Sequence, residues 1–579
     1  MLSKRKQVQT DKPIQRKPLR LWPGVVIVIL QWLVWFVLPR IFPNDEMMMI
    51  GVVGSLAGVL AVIVWWVFFS RARWFERVGA LLLMIVALYA VSFLLDKSIA
   101  TSNMGLMFIM FSIPVMCLAF VIWAVATSRL SPSIRRVTMV VTILVAAGLW
   151  VFLRTDGMNG VGQHELNWRW AKTPEDRLLE QAGSQSSANM SVLVAEITST
   201  EWPGFRGPDR DGIVGGLKIG TNWSAHPLKE LWRRPVGPGC SSFAIRGNAC
   251  YTQEQRGEYE LVSCYNLTTG EPLWQHRDSV RFWDSHAGAG PRSTPTLAGD
   301  RICTLGGTGL LNVLNADDGS LIWTRNAAAD AGVKVLTWGF TSSPLVVGDV
   351  VIIALAGKLA AYDVQSGQPL WFGPDGGSGY SSPHLVTIEG VPQVLLMSAS
   401  GMISVDPATG KQLWEYPWPI EDRILQPALI GHADLLLSQE YTGVRRVSVS
   451  QQGDGYSIKE LWTSDKMKVN FNDHVIHKGY AYGFDGPSLA CLDLKDGKRM
   501  WKGDRYRGWI LLLADQNLLL VLSEKGDLAL VEATPDKFTE LARIKAIGGK
   551  TWNHPALAGN VLLVRNSLEM AAFRLPPAE

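Results

Sequence analysis

The chain has 579 residues, 48% of them hydrophobic and 18% charged, with 55 basic against 51 acidic side chains and a formal net charge of +4. That length corresponds to about three or four ordinary domains. A charged fraction below the usual ~25% argues against a disordered or coiled-coil protein, and near-neutrality supplies no basic footprint for nucleic acid.

The charge deficit is local. Between residues 22 and 154 only 13 of 133 side chains are charged, and they divide the segment into five apolar runs, 22–38, 47–69, 78–95, 104–127 and 137–153. Each approaches the ~17–25 residues a helix needs to cross the ~30 Å hydrocarbon layer. None shows the polar face that a helix of a soluble bundle carries. Residues 21–154 are therefore expected to form five transmembrane helices in contact with membrane lipid, behind a basic cytoplasmic tail at 1–20. The first run is too long, and lacks the small-residue cleavage site, to be a removable signal peptide.

Basic residues fix the orientation. Lys4, Arg5, Lys6, Lys12, Arg16, Lys17 and Arg20 precede the first run; Arg71, Arg73 and Arg77 lie in the second connection, and Arg129, Arg135 and Arg136 in the fourth. The first and third connections instead carry Asp45, Glu46 and Asp96 beside Arg40 and Lys97. The positive-inside rule puts the N-terminus in the cytoplasm and everything after Arg154 outside. The expected location is thus a bacterial inner membrane with the second half periplasmic. The run interiors lack Asp, Glu, Lys and His, so they offer no ion path. They read as an anchor, with a quinone or lipid pocket between the helices as the sharper alternative.

Residues 155–200 read as a linker holding one short helix. Thr173-Pro174-Glu175-Asp176 presents an N-cap, proline in the first turn and acid beside it, and the glycine- and serine-rich stretch from Gly183 reads as flexible chain.

From residue 201 to the C-terminus a repeat governs the sequence. Five segments share a strand, an Asx turn, a glycine and a tryptophan four residues later: Gly270 with Trp274, Gly319 with Trp323, Gly367 with Trp371, Gly410 with Trp414 and Gly497 with Trp501. Weaker members end at Trp232, Trp462 and Leu541, so eight end points fall 39 to 49 residues apart. Short β-runs at this period predict an all-β eight-bladed propeller. In each unit the Asn or Asp side chain closes the turn, the glycine supplies positive φ, and the tryptophan docks one blade on the next. The segment 228–235 has no hairpin partner before it, and 569–575 has none after it. Their pairing would close the ring.

At these residues the chain resembles the pyrroloquinoline-quinone (PQQ)-like repeat family, whose propellers carry an Ala-x-Asp-x-x-Thr-Gly-x-x-x-Trp motif in each blade. Trp202-Pro203-Gly204-Phe205-Arg206-Gly207-Pro208 resembles the opening of its BamB-like branch. The resemblance implies one of two activities. One is a cofactor-free platform that binds a periplasmic protein partner or a small-molecule ligand, and this is the leading expectation. The other is a PQQ-dependent dehydrogenase of alcohols or sugars, with calcium beside the quinone, passing electrons to membrane quinone. The membrane-bound glucose dehydrogenases of that class also carry five N-terminal spans. Against the dehydrogenase, the chain has no adjacent cysteine pair, no Cys-x-x-Cys-His for attached haem and a propeller too short for long inter-blade loops.

Polar and aromatic residues nevertheless gather near the starts of the innermost strands, where a propeller converges on one end of its axis. The candidate ligand-binding residues there are Glu254, Arg292, Trp338, His384, Asn472, Asp473, His474, Trp552 and His554, with His286, Tyr380, Gln426, Glu440, Trp509 and Asn553 beside them. Taken singly, each also reads as a satisfied turn or rim residue. His474 and His477 have a metal-type spacing, but at a strand start it does not indicate zinc, and no metal site is expected. Of six cysteines, Cys117 falls in a span. Cys240, Cys250, Cys264, Cys303 and Cys491 lie outside, where Cys250 and Cys264 are either a disulfide or two buried thiols.

Overall fold

A computed structural model describes residues 20–42, 45–160, 162–184, 201–419, 424–453, 455–469 and 471–578. The basic tail and the stretch read as flexible linker after residue 184 lie outside them. The chain forms two compact units, residues 1–171 and 172–579.

The first unit contains five helices long and apolar enough to cross a membrane: Trp22–Ile41, Met49–Phe69, Trp74–Ser92, Met107–Ala126 and Pro132–Phe152. Glycines bring the first two into close contact. A Cβ on Gly24 would lie 2.7 Å from the Trp65 ring, one on Gly54 2.5 Å from Val34, and one on Gly58 2.7 Å from Gln31. Small residues allow this approach where no water drives helices together. Gln31 Nε2 donates across the same contact to Ser55 O at 3.0 Å. Glu76, 6% exposed, binds Arg135 and Arg136 at 3.0 Å each, and Arg20 N donates to Ser70 O. The second and fourth connections and the start of the first helix thus share one end of the bundle. At the other end the chain turns back as a hairpin, Leu153–Met158 against His164–Trp168. The expected boundary at 154/155 cuts this hairpin, leaving 153–154 with the last helix and the rest in the linker; Asn159-Gly160 is the turn signal that marks it.

The second unit opens with the helix Pro174–Ser184. Thr173 and Asp176 cap it reciprocally: Asp176 N donates to Thr173 Oγ1 at 2.9 Å and Thr173 N to Asp176 Oδ2 at 2.8 Å. Glu175 in its first turn accepts from Gly257 N and Arg281, fastening the helix to the first blade.

Eight antiparallel sheets follow. Blade 1 is built on Ala244–Arg246, Ala249–Arg256, Tyr259–Asn266 and Pro272–Asp278; blades 2 to 7 span 296–326, 345–372, 384–417, 428–464, 475–505 and 509–545. Blade 8 has Ala556–Ala558, Val561–Arg565 and Glu569–Arg574, completed by Lys229–Pro235 from the start of the propeller. That closure, in register from Glu569 opposite Pro235 to Arg574 opposite Lys229, is the one expected from the sequence, and it removes the open sheet edge.

The repeat residues act as their types require. Asn266, Asn315, Asp363, Asp406 and Asp493 each accept backbone N–H bonds from residues two or three positions on. The turn glycines hold φ of +69° to +73°. The indoles of Trp232, Trp274, Trp323, Trp371 and Trp462 lie against the turn glycine of the next blade: a Cβ on Gly319 would stand 2.3 Å from Trp274, one on Gly410 2.4 Å from Trp371, and one on Gly270 2.6 Å from Trp232. The indole N–H then donates to a carbonyl of that turn, as Trp232 does to Leu267 O at 2.8 Å and Trp274 to Ala316 O at 3.1 Å. Blade 5 breaks the pattern. Its turn is replaced by a long hairpin, Gly443–Gln452 against Gly455–Ser464, and Trp414, lacking a glycine to cover, donates instead to Gln393 Oε1 within its own blade.

All six cysteines are free thiols. Cys250 pairs with Tyr265 and Cys264 with Tyr251 across the same two strands, so the two side chains point to opposite faces of the sheet and no bond between them forms.

Candidate functional site

The residues before the innermost strands form a ring of polar ties between neighbouring blades. Ser242 Oγ donates to His554 O at 2.7 Å, Thr294 N to Ser343 Oγ at 3.0 Å, and Ser343 N to Ser382 Oγ at 3.0 Å. Gln426 donates to Pro383 O, Asn472 to Gly508 O at 2.7 Å, and Asn553 to Ser241 O at 2.7 Å. Asn472, Gln426 and Asn553 are therefore committed to holding blades together.

Inside this ring runs the chain itself. Trp202 pairs with Ile245 on blade 1, and Ile213 and Val214 pair in parallel with Leu512 and Leu513 on blade 7. Between them the Trp202–Gly212 segment touches most of the blades. Pro203 O accepts from Leu297 N. Arg206, 5% exposed, donates to His474 O at 2.8 Å and stands 3.5 Å from Asp473. Arg210 donates to Pro344 O at 2.7 Å and Ser343 O at 2.9 Å, Asp209 O meets His384 Nε2 at 3.2 Å, and Phe205 packs edge-on against His554. Gly207 and Gly212 at φ of +88° and +77° let the backbone fold this tightly.

Four of the sequence-selected residues, His384, Asp473, His474 and His554, thus meet around Arg206 and Arg210, which sequence reasoning did not select. Burial pushes the Asp473 carboxyl up, but Arg206 and His554 outweigh it and hold it near 2. Burial, reinforced by the guanidiniums, pushes His384 and His474 down to about 4, and burial lowers His554 against the opposing pull of Asp473. A neutral His554 donates Nε2–H to Asp473 at 3.0 Å, which leaves Nδ1 as a buried acceptor with no partner among the described residues.

The remaining candidates divide. Trp338 lies tilted against Tyr380 at 4.8 Å and meets His286 edge-on at 6.0 Å. Across the ring Phe471 lies 5.6 Å from both Trp509 and Trp552, and Lys550 sits 4.1 Å over the Trp552 ring. These rings form an aromatic rim beside the plugged centre. Arg292 is engaged elsewhere, paired with Asp284 and donating to Gly288 O and Ala289 O. Glu254, fully buried, accepts from Gly237 N, Ser263, Tyr265 and Arg256 and has no capacity left for a ligand.

The geometry defines the class: an eight-bladed propeller with tryptophan-docked blades and a self-filled axial centre, in a chain that also carries five membrane-length helices. Residues 258–503 match the family model described as outer membrane protein assembly factor BamB. The propeller is similar to the PQQ-like repeat propellers of the BamB assembly factors. The protein of that description from Burkholderia pseudomallei is 24% identical over 365 residues, covering 58% of this chain and 85% of its own. BamB from Moraxella catarrhalis aligns with a TM-score of 0.44 at 15% identity, over 60% of this chain and 100% of its own. Quinohemoprotein alcohol dehydrogenase from Comamonas testosteroni aligns at 0.47 and 12% identity, over 70% and 84%.

The axial residues do not fit a calcium–quinone pair. Calcium takes six to eight oxygen ligands, whereas here Asp473 is bound by Arg206 and His554 and a second guanidinium lies close by. No group of three or more His, Cys, Asp or Glu among the described residues is placed to hold a metal ion.

Proposed function

We propose that this protein is an inner-membrane-anchored scaffold whose propeller docks a protein partner on the periplasmic side. The observation that carries the reading is the plugged axis: the place where a propeller of this kind would hold a small ligand is filled by residues 202–212. What is left to bind is surface. The half-buried rings of Trp338, Phe471 and Trp552 on the aromatic rim, backed by buried Tyr380, suit a protein interface, because large rings with a polar edge dominate binding energy there. The similarity to assembly factors supports a partner that is itself a component of membrane-protein assembly. Basic connections at one end of the helices, and a net charge of +11 over residues 1–154 against −7 over 155–579, support a cytoplasmic N-terminus and a propeller outside.

The test is site-specific photo-cross-linking in intact cells from positions 338 and 552, with position 495 on an exposed blade turn as control. The reading predicts a discrete protein adduct from the rim positions alone, abolished by Tyr380→Ala with Phe471→Ala. Adducts of equal yield from all three positions would contradict it.

A further inference from the structure

The helical unit holds a partly open cavity of about 540 Å³, within the size range of sites that hold small ligands. It lies at the end of the bundle opposite Glu76 and its arginines. Its walls come from the end of the first helix, the starts of the second and fourth, the end of the fifth and the hairpin that follows. Trp35, Phe36, Phe111 and Leu149 make most of it apolar, while Arg40, Asn103, Gln163 and His164 are its polar residues, and no carboxylate among the described residues lines it. Trp150 also lines it; this side chain is 3% exposed, and its indole N–H has no acceptor among the described residues. An apolar chamber with a cation among its polar residues calls for a ligand with a hydrocarbon chain and a negatively charged head.

We propose that this cavity binds one anionic phospholipid, an acyl chain among the aromatic residues and the phosphate at Arg40. The inference rests on the helices spanning a membrane and is independent of what the propeller docks. Arg40 also lies over Phe36, 5.5 Å from the ring centroid, so its charge is held beside the apolar wall. Within a membrane, one such charge favours an anionic over a zwitterionic head by about 1 kcal/mol, or about fivefold.

The experiment is native mass spectrometry of the full chain in a neutral detergent. It is titrated with phosphatidylglycerol, with phosphatidylcholine of the same acyl chains, and with decylubiquinone. The proposal predicts a single phosphatidylglycerol adduct about fivefold favoured over phosphatidylcholine. Arg40→Gln should reduce that preference to parity, and Val52→Trp, which fills the cavity, should remove both adducts. Should Val52→Trp fail to fold, the Arg40→Gln arm decides alone. Equal binding of the two phospholipids to the natural chain, an Arg40→Gln variant that keeps the preference, or decylubiquinone displacing phosphatidylglycerol at equimolar concentration would each overturn it.

Discussion

Replacing Arg206 by methionine tests whether residues 202–212 are held in the axis by the cluster described. The guanidinium is buried, donates to His474 O and Asp211 O at 2.8 Å each, and faces Asp473 at 3.5 Å. Removing one member of a buried pair costs about 3–5 kcal/mol, because the other charge stays behind. Asp473 retains His554 at 3.0 Å, so the lower end applies, and about 3 kcal/mol is roughly a hundredfold in local opening. Hydrogen exchange of the full chain in detergent reads this directly. The amides of Gly212, bonded to Arg206 O, and of Leu512, bonded to Gly212 O, should exchange about a hundredfold faster, while those in blade 4 keep their protection. Adding Asp473→Asn removes the stranded charge and should restore part of the loss, the non-additivity expected of contacting residues. A change under about threefold with Arg206→Met would show that the cluster does not hold the segment.

Three further outcomes follow from the same structure. Gly319→Ala combines a φ of +73° with a Cβ 2.3 Å from the Trp274 ring, whereas Gly348→Ala, at φ of +59°, meets open space. Denaturant titration should give about 3 kcal/mol for the first and about 1 kcal/mol for the second; equal losses would refute docking of the indole on the glycine. In acid, His384 and His474, at about 4 when folded against about 6.5 when unfolded, take up protons on unfolding. Their contribution is complete above about pH 6.5 and drains as pH falls toward 4. Glu260, pushed up by burial to about 7, acts oppositely and loses stability as pH rises from about 4.5 to 7. Two histidines outweigh one carboxyl, so melting temperature should fall between pH 6.5 and 4.5, and His474→Asn should flatten that slope; an unchanged slope would contradict the assignment. Burial pushes the thiols of Cys250, Cys303 and Cys491 up to about 12, while Cys240 is partly exposed. Maleimide should therefore label Cys240 first in the native propeller, and all six cysteines after unreduced denaturation. Fewer than six would reveal a disulfide.

The propeller was legible because its information is local and repeated. An Asx residue, a glycine and a tryptophan within about ten positions specify turn, close approach and docking, and five full copies with three weaker end points fix the architecture. The five long apolar helices were legible for a similar reason, since each is a largely apolar run of 19 to 21 residues. The centre was not. Arg206 meets His474, 268 residues away, and Arg210 meets Ser343, 133 away, so nothing in the neighbourhood of Trp202–Gly212 announces that it fills the axis. Glu254 and Arg292 show the converse limit: charge and position near a strand start suggested ligand contacts, but saturation by Tyr265, Arg256 and Asp284 is a property of packing. The cavity in the helical unit is likewise assembled from helix ends far apart in sequence.

The measurement that bears most directly on the scaffold reading is calorimetric titration of the purified full chain with pyrroloquinoline quinone and calcium, followed by dye reduction with alcohols and sugars. With the axis filled by its own segment, the protein should show no stoichiometric heat, no quinone absorbance after desalting and no dye reduction. One equivalent of bound quinone, together with substrate-dependent dye reduction, would make it a dehydrogenase and contradict the account.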